Sequence, residues 1–186
     1  MREKRRAELV EAFARVLAEH GYAGATIAAV ADAAGVAPGL VHHHFADKAD
    51  LLASLLRTLM ERFRRRTQVM EGSVDPLTAY ALAAVRLDAG ADAVAARCWV
   101  GVLAEAVRDP ALFAQVRRLL DSEVEAIRRR SSSRLSEKSA SAVLAFILGA
   151  LVLGAFAPRK TSGFAAPALE ALIDALGARE ERGVAL

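Results

Sequence analysis

The chain reads as an all-α protein of about nine helices, an N-terminal three-helix unit followed by a larger helical part. Residues 26–52, TIAAVADAAGVAPGLVHHHFADKADLL, form two short helical patterns joined by a glycine turn and then the start of a third. That is the layout of a helix-turn-helix. The sequence is 54% hydrophobic but only 5% aromatic, with five prolines in 186 residues. Alanine and leucine dominate it, which favours helices. No run of Val, Ile, Thr and aromatic residues alternates with period two, so no strand is expected.

The first helix is expected over about 3–20, with Leu9, Phe13, Val16 and Leu17 on one face and Gly21 closing it. Thr26 is a good N-cap for a second helix that turns Ile27, Val30, Ala31 and Ala34 inward. Gly35 can take a positive φ at little cost and so serves as the turn. The third helix opens at Pro38, a favourable first position because a missing N–H has no partner there. Val36, Leu40, Val41 and Phe45 then face the core, and Gly39, His42, His43 and His44 face largely outward. Asp47 caps a long fourth helix over about 47–69, with Asp50 completing a short capping box. The arginines Arg62, Arg64, Arg65 and Arg66 crowd the end of that helix, where cations suit the dipole.

Gly72, Ser73 and Pro76 mark a break. Further helices are expected over about 76–89, 91–107, 110–130, 136–156 and 166–178. Asp109-Pro110 supplies a cap and an N1 proline. The run SSSRLSEK reads as a polar loop, Pro158 as a helix stop, residues 161–163 as another loop, and the tail from Ala178 as frayed.

Charge is unevenly placed. Residues 1–66 hold 11 Lys/Arg against 8 Asp/Glu, and residues 67–186 hold 14 of each. All four histidines lie in the first part. A modest basic excess there fits a surface that meets nucleic acid. The single cysteine, Cys98, excludes an internal disulfide and a thiol-based zinc site. The charged N-terminus MREKRRAELVEAF lacks the apolar core of a signal peptide, so a cytoplasmic protein is expected.

The order of features resembles the tetracycline-repressor (TetR) family of bacterial transcriptional regulators. The matching residues are Gly24-Ala25-Thr26-Ile27, Val30-Ala31, Ala34-Gly35-Val36, Gly39 to Phe45, Lys48 and Leu51-Leu52. The resemblance is specific over residues 5–57, and beyond residue 70 only helix count and layout match. It implies a homodimeric repressor with a DNA-binding domain over 1–46 and a ligand-binding and dimerisation domain over 47–186. A small molecule would move the fourth helix and release a palindromic operator.

On that reading Thr26 and Lys48 meet phosphates, as does His42, which stands where the family usually has Tyr. His43 lies nearest the base edges, with Ala37, Pro38, Gly39 and Leu40. Ala37 replaces a frequent Ser, which removes a side-chain cap. The reading helix has no Arg, Asn or Gln, so DNA shape gains weight over direct base contacts. Arg2, Lys4, Arg5 and Arg6 either reach a minor groove or form a solvated helix start. Three histidines on this face predict that operator affinity rises as pH falls from about 7.5 to 6.

Consecutive histidines on a helix diverge by about 100°, so His42, His43 and His44 are not expected to share a metal. Cys98 is read as a small buried core residue, the alternative being a redox switch. A ligand pocket is expected from Trp99 with Met60, Phe63, Tyr80, Leu103, Phe113 and Phe146. Residues 139–158 carry no charge and are long enough to span a bilayer. The favoured reading is a dimer interface of Phe146, Leu148, Leu151, Val152, Leu169, Leu172, Ile173 and Leu176, in a four-helix bundle across a twofold axis. No catalytic triad, phosphate loop or ligand cluster is evident, so no enzyme, cofactor or metal is expected. The expected partners are operator DNA, a partly apolar effector and a second copy, with no membrane. The alternatives are a helical scaffold protein without DNA affinity and a membrane-anchored regulator.

Overall fold

The computed structural model describes residues 2–85, 91–132 and 134–183. Those residues form α1 (Arg2–Gly24), α2 (Ile27–Ala34), α3 (Pro38–His44), α4 (Lys48–Glu71), α5 (Pro76–Val85), α6 (Ala91–Ala106), α7 (Pro110–Arg130), α8 (Glu137–Phe156) and α9 (Pro158–Glu181). Among the described residues there is no strand. The end expected for the fifth helix, at 86–89, lies outside the described residues.

Local chemistry explains most boundaries. Gly21 has φ 68° and ψ 177° and breaks the helical path inside α1. Asp109 accepts from the amides of Ala111 and Leu112 to open α7. Ser136 accepts from the Ser139 amide to open α8.

One expectation holds at the far end and one fails: α8 does stop before Pro158, but 161–163 is no loop. Ala157, at φ −143° and ψ 65°, breaks the path, and Pro158 opens α9 at once. A proline stops the helix before it and suits the first turn of the next equally well. Thr161 is buried and donates its hydroxyl to the Ala157 carbonyl (3.2 Å). The other end of α9 runs to Glu181 because Glu180 is anchored to the start of α8. It accepts from the Ser136 amide (3.0 Å) and the Ser139 hydroxyl (2.6 Å).

Among the described residues two apolar cores organise the fold. In the first, Leu9, Phe13 and Leu17 of α1 pack with Val30, Val41 and Phe45 and with Leu51 and Leu55 of α4. This core continues into Cys98 and Val102 of α6 and Leu112 of α7. The second gathers Leu77, Tyr80 and Val85 of α5 with Ile127, Val143, Leu144, Ile147 and Leu169. Deleting a large side chain from either core costs about 3–5 kcal/mol. α6 packs along α1 on one side and α8 on the other, so it ties the two cores together.

Candidate nucleic-acid interface and internal cavity

The turn between α2 and α3 is built as its residues require. The Thr26 hydroxyl oxygen accepts from the Ala29 amide (3.1 Å). Gly35 sits at φ 66° and ψ 38°, where a side chain is costly, and its amide returns to the Ala31 and Asp32 carbonyls. Val41 and Phe45 anchor α3 in the core. Ala37, Pro38, Gly39, His42 and His43 are exposed on one surface, Leu40 and His44 are half-buried, and Thr26 is exposed beside them. Ala37 gives α3 no side-chain cap. This surface offers a helix N-terminus and two exposed imidazoles to an approaching phosphate backbone.

Arg6 belongs to the frame that holds this surface. Its guanidinium donates to the His44 carbonyl (2.7 Å) and the Ser54 hydroxyl (2.7 Å), and lies 3.4 Å from the Asp50 carboxylate. It also stacks 4.1 Å above the Phe45 ring. Of the N-terminal cations read as groove-reaching or solvated, Arg6 is therefore neither; it clamps α1 to the α3–α4 corner. Lys48 donates from Nζ to the Tyr22 carbonyl (2.7 Å) and sits 4.0 Å over the Tyr22 ring. Asp47 accepts from the Asp50 amide (2.8 Å), and Asp50 accepts from Ala46, one residue earlier than a capping box would place it. Burial first, then the charges of His43, Arg2, Arg6 and Arg5, lowers the His44 pKa. Its share of any protonation effect thus falls at more acidic pH.

A cavity of about 130 Å³ lies between α4, α5, α6, α7 and α8. Of the pocket residues expected, Met60, Phe63, Tyr80 and Trp99 line it. Leu103, Phe113 and Phe146 do not: Leu103 packs on the first core, Phe146 on the second, and Phe113 is 53% exposed. Leu148 and Leu151, expected at a partner contact, are half-buried and line the cavity. Periodicity assigned these residues to a buried face, but not to a particular neighbour.

Glu123 is the polar feature that sequence reasoning missed. Its carboxylate accepts from the Tyr80 hydroxyl (2.5 Å), whose ring meets Phe63 edge-on at 5.0 Å. Burial first, then the Glu123 charge, holds the Tyr80 hydroxyl well above its ordinary pKa. No pattern near Glu123 marks it, because Tyr80 lies 43 residues away. Cys98 is buried and donates to the Ala14 carbonyl (3.3 Å); burial pushes its thiol up to about 12.

The outer face of α8 and α9 carries a different pattern. Ser141, Ala145, Gly149, Val152, Leu153 and Phe156 form one exposed stripe on α8, and Phe164, Pro167 and Ala171 continue it on α9. Leu169 and Leu176 are buried in the chain's own core, and Leu172 and Ile173 are half-buried against it. Of the expected partner-facing residues Val152 lies on this stripe, and Leu169 and Leu176 do not. α8 is long and apolar enough to cross a membrane by length and composition. Its other face packs against α5, α6, α7 and α9. Among the described residues no His, Cys, Asp and Glu group is placed to hold a metal.

Residues 9–55 match the sequence profile described as bacterial regulatory proteins, tetR family. The HTH-type transcriptional regulator BetI of Burkholderia cenocepacia is 30% identical over 166 residues, covering 84% of this chain and 85% of that protein. A structure from Rhodococcus sp., described as a TetR-family transcriptional regulator, superposes with a TM-score of 0.81 at 26% identity over 94% of this chain and 99% of that one. A regulator from Saccharomonospora viridis in complex with choline gives a TM-score of 0.71 at 20% identity, over 92% and 96% of the two chains. At that identity the likeness is one of fold.

Proposed function

The chain belongs to the TetR family of transcriptional regulators, and on that premise we propose that it is a cytoplasmic homodimeric repressor released from its operator by a small, partly apolar molecule. One observation carries the reading. The single helix α4 begins at Lys48 beside the exposed face of α3 and, further along, supplies Leu59, Met60 and Phe63 to the cavity. A molecule that fills the cavity must press on the element that sets the position of the reading head.

Lys48, Thr26 and His42 are the phosphate contacts in this proposal, and His43 with Ala37, Pro38, Gly39 and Leu40 the groove-facing set. The division into a reading unit over 1–46 and an effector and dimer unit over 47–186 is kept in functional terms, although the first core extends past residue 46 into α4, α6 and α7. The exposed apolar stripe of α8 and α9 supports a twofold four-helix bundle with a second copy.

The test is binding to the DNA upstream of its own gene, measured across a salt series. The expected result is a dimer bound to a palindrome, with an affinity that falls steeply with salt. Lys48→Ala lowers that slope by about one. Absence of salt-sensitive binding to that DNA overturns the proposal.

A further inference from the structure

We propose that the effector is an amphipathic anion, an apolar chain ending in a carboxylate or phosphate, whose head sits outside the cavity between Arg57 and Arg64. The inference rests on the cavity being the effector site, as proposed above.

The carrying observation is a second hollow on the far side of the cavity wall. A groove of about 300 Å³ runs between α4 and α7, floored by Ala53, Leu56, Met60, Val116 and Leu119. Met60 and Leu119 line both this groove and the internal cavity. Two half-buried side chains therefore separate the two spaces. The backbones of α4 and α7 make few close approaches, so side chains form most of the wall between them. Methionine is unbranched with three rotatable bonds and yields readily to an incoming chain. The two spaces form one path once Met60 and Leu119 turn aside.

Charge decides which head group the path accepts. Arg57 and Arg64 flank the groove on α4, both exposed. Among the described residues neither makes an ion pair. Arg62 and Arg66 border the cavity on the same helix, and Arg62 is paired with Glu11 of α1. Among the described residues no carboxylate lines the groove, and the carboxylate of the cavity, Glu123, already accepts from the Tyr80 hydroxyl. A cationic head at the groove would meet Arg57 and Arg64 with no carboxylate beside them. An anionic head gains two guanidinium groups at the surface, where arginine offers paired donors to carboxylate or phosphate. The apolar tail meets Trp99, Leu120, Ile147 and Leu148 within.

Trp99 is the only tryptophan and lines the cavity, so its fluorescence reports filling without any operator. The full chain is titrated below micellar concentrations with dodecanoate, dodecyl phosphate, dodecanol and dodecyltrimethylammonium. At least one anion is expected to saturate the Trp99 signal, about tenfold or more tighter than the trimethylammonium probe. The two anion arms tell a carboxylate head from a phosphate head. The surface double variant Arg57→Gln/Arg64→Gln is expected to lose about tenfold for the anions and to keep dodecanol binding. Cation binding as tight as anion binding overturns the proposal and leaves the cavity reading standing. So does unchanged anion affinity in the double variant. Failure of every probe overturns both.

Discussion

Arg62 of α4 forms an ion pair with Glu11 of α1, and the same Arg62 side chain lines the cavity. The pair joins the cavity wall directly to the first helix of the reading head. Both side chains are nearly half exposed, so the pair contributes less than about 1 kcal/mol to stability. Its value lies in position. Arg62→Gln and Glu11→Gln are each expected to leave the unfolding midpoint nearly unchanged. Each should shrink the effect of dodecanoate on operator affinity, out of a typical coupling of about 5–150-fold. The double variant should be no worse than either single one. Operator titrations with and without dodecanoate check this; an undiminished ratio in all three variants assigns Arg62 no part in coupling.

Arg6 fills a structural position, and its removal is read in stability. Arg6→Ala loses two short hydrogen bonds and the stack on Phe45. The expected cost is about 2 kcal/mol, because part of the clamp is solvent-exposed. Arg5→Ala, whose ion pair with Glu8 lies within one helix, serves as the control and should cost under about 0.5 kcal/mol. Urea unfolding of both variants decides it, and equal small changes would return Arg6 to the solvated surface.

Phe156 is 77% exposed and Leu153 51%, on the stripe that α9 extends with Phe164. Phe156→Glu and Leu153→Glu are expected to yield a folded monomer, since an unpaired charge in an apolar interface costs several kcal/mol. Leu148→Glu should instead abolish the Trp99 response, because Leu148 faces the cavity. Light scattering after size-exclusion chromatography without detergent gives the masses. A dimer persisting in both stripe variants would move the interface elsewhere.

The alkaline limb of stability has a determined sign. Cys98, Tyr22 and Tyr80 all have raised pKa values, each chiefly through burial. The unfolded chain therefore releases these protons at lower pH than the folded one. Stability from these groups is full below the ordinary thiol value, about 8.5, and declines as pH rises above it, the Cys98 share until about 12. Urea unfolding at rising pH should show this decline, with a shallower slope for Cys98→Ala. A thiol reagent at neutral pH should leave folded protein unlabelled; rapid labelling would contradict the buried site.

Local chemistry made the reading head legible in the sequence. Thr26, Gly35, Pro38, Asp47 and the Asp109-Pro110 pair each act within one helical turn, so a reader sees cap and helix together. The same residues that resemble the TetR family set the α2–α3 geometry. The apolar spacing of α4 likewise announces a buried stripe before any neighbour is known. These determine that the chain is all-helical and carries a helix-turn-helix.

Tertiary structure alone decided which partner each face meets. Arg6 looked like one more surface cation until α1 was laid beside Ser54, 48 residues on. Leu148 and Leu169 share an apolar character, yet one lines the cavity and the other is sealed in the core. Glu123 and the Arg57–Arg64 groove became visible only once α7 lay across from α4 and α5. Capping and periodicity depend on contacts a few residues apart, which the sequence displays directly. Cavities, clamps and interfaces depend on which helix faces lie opposite one another, and that is settled when distant segments pack.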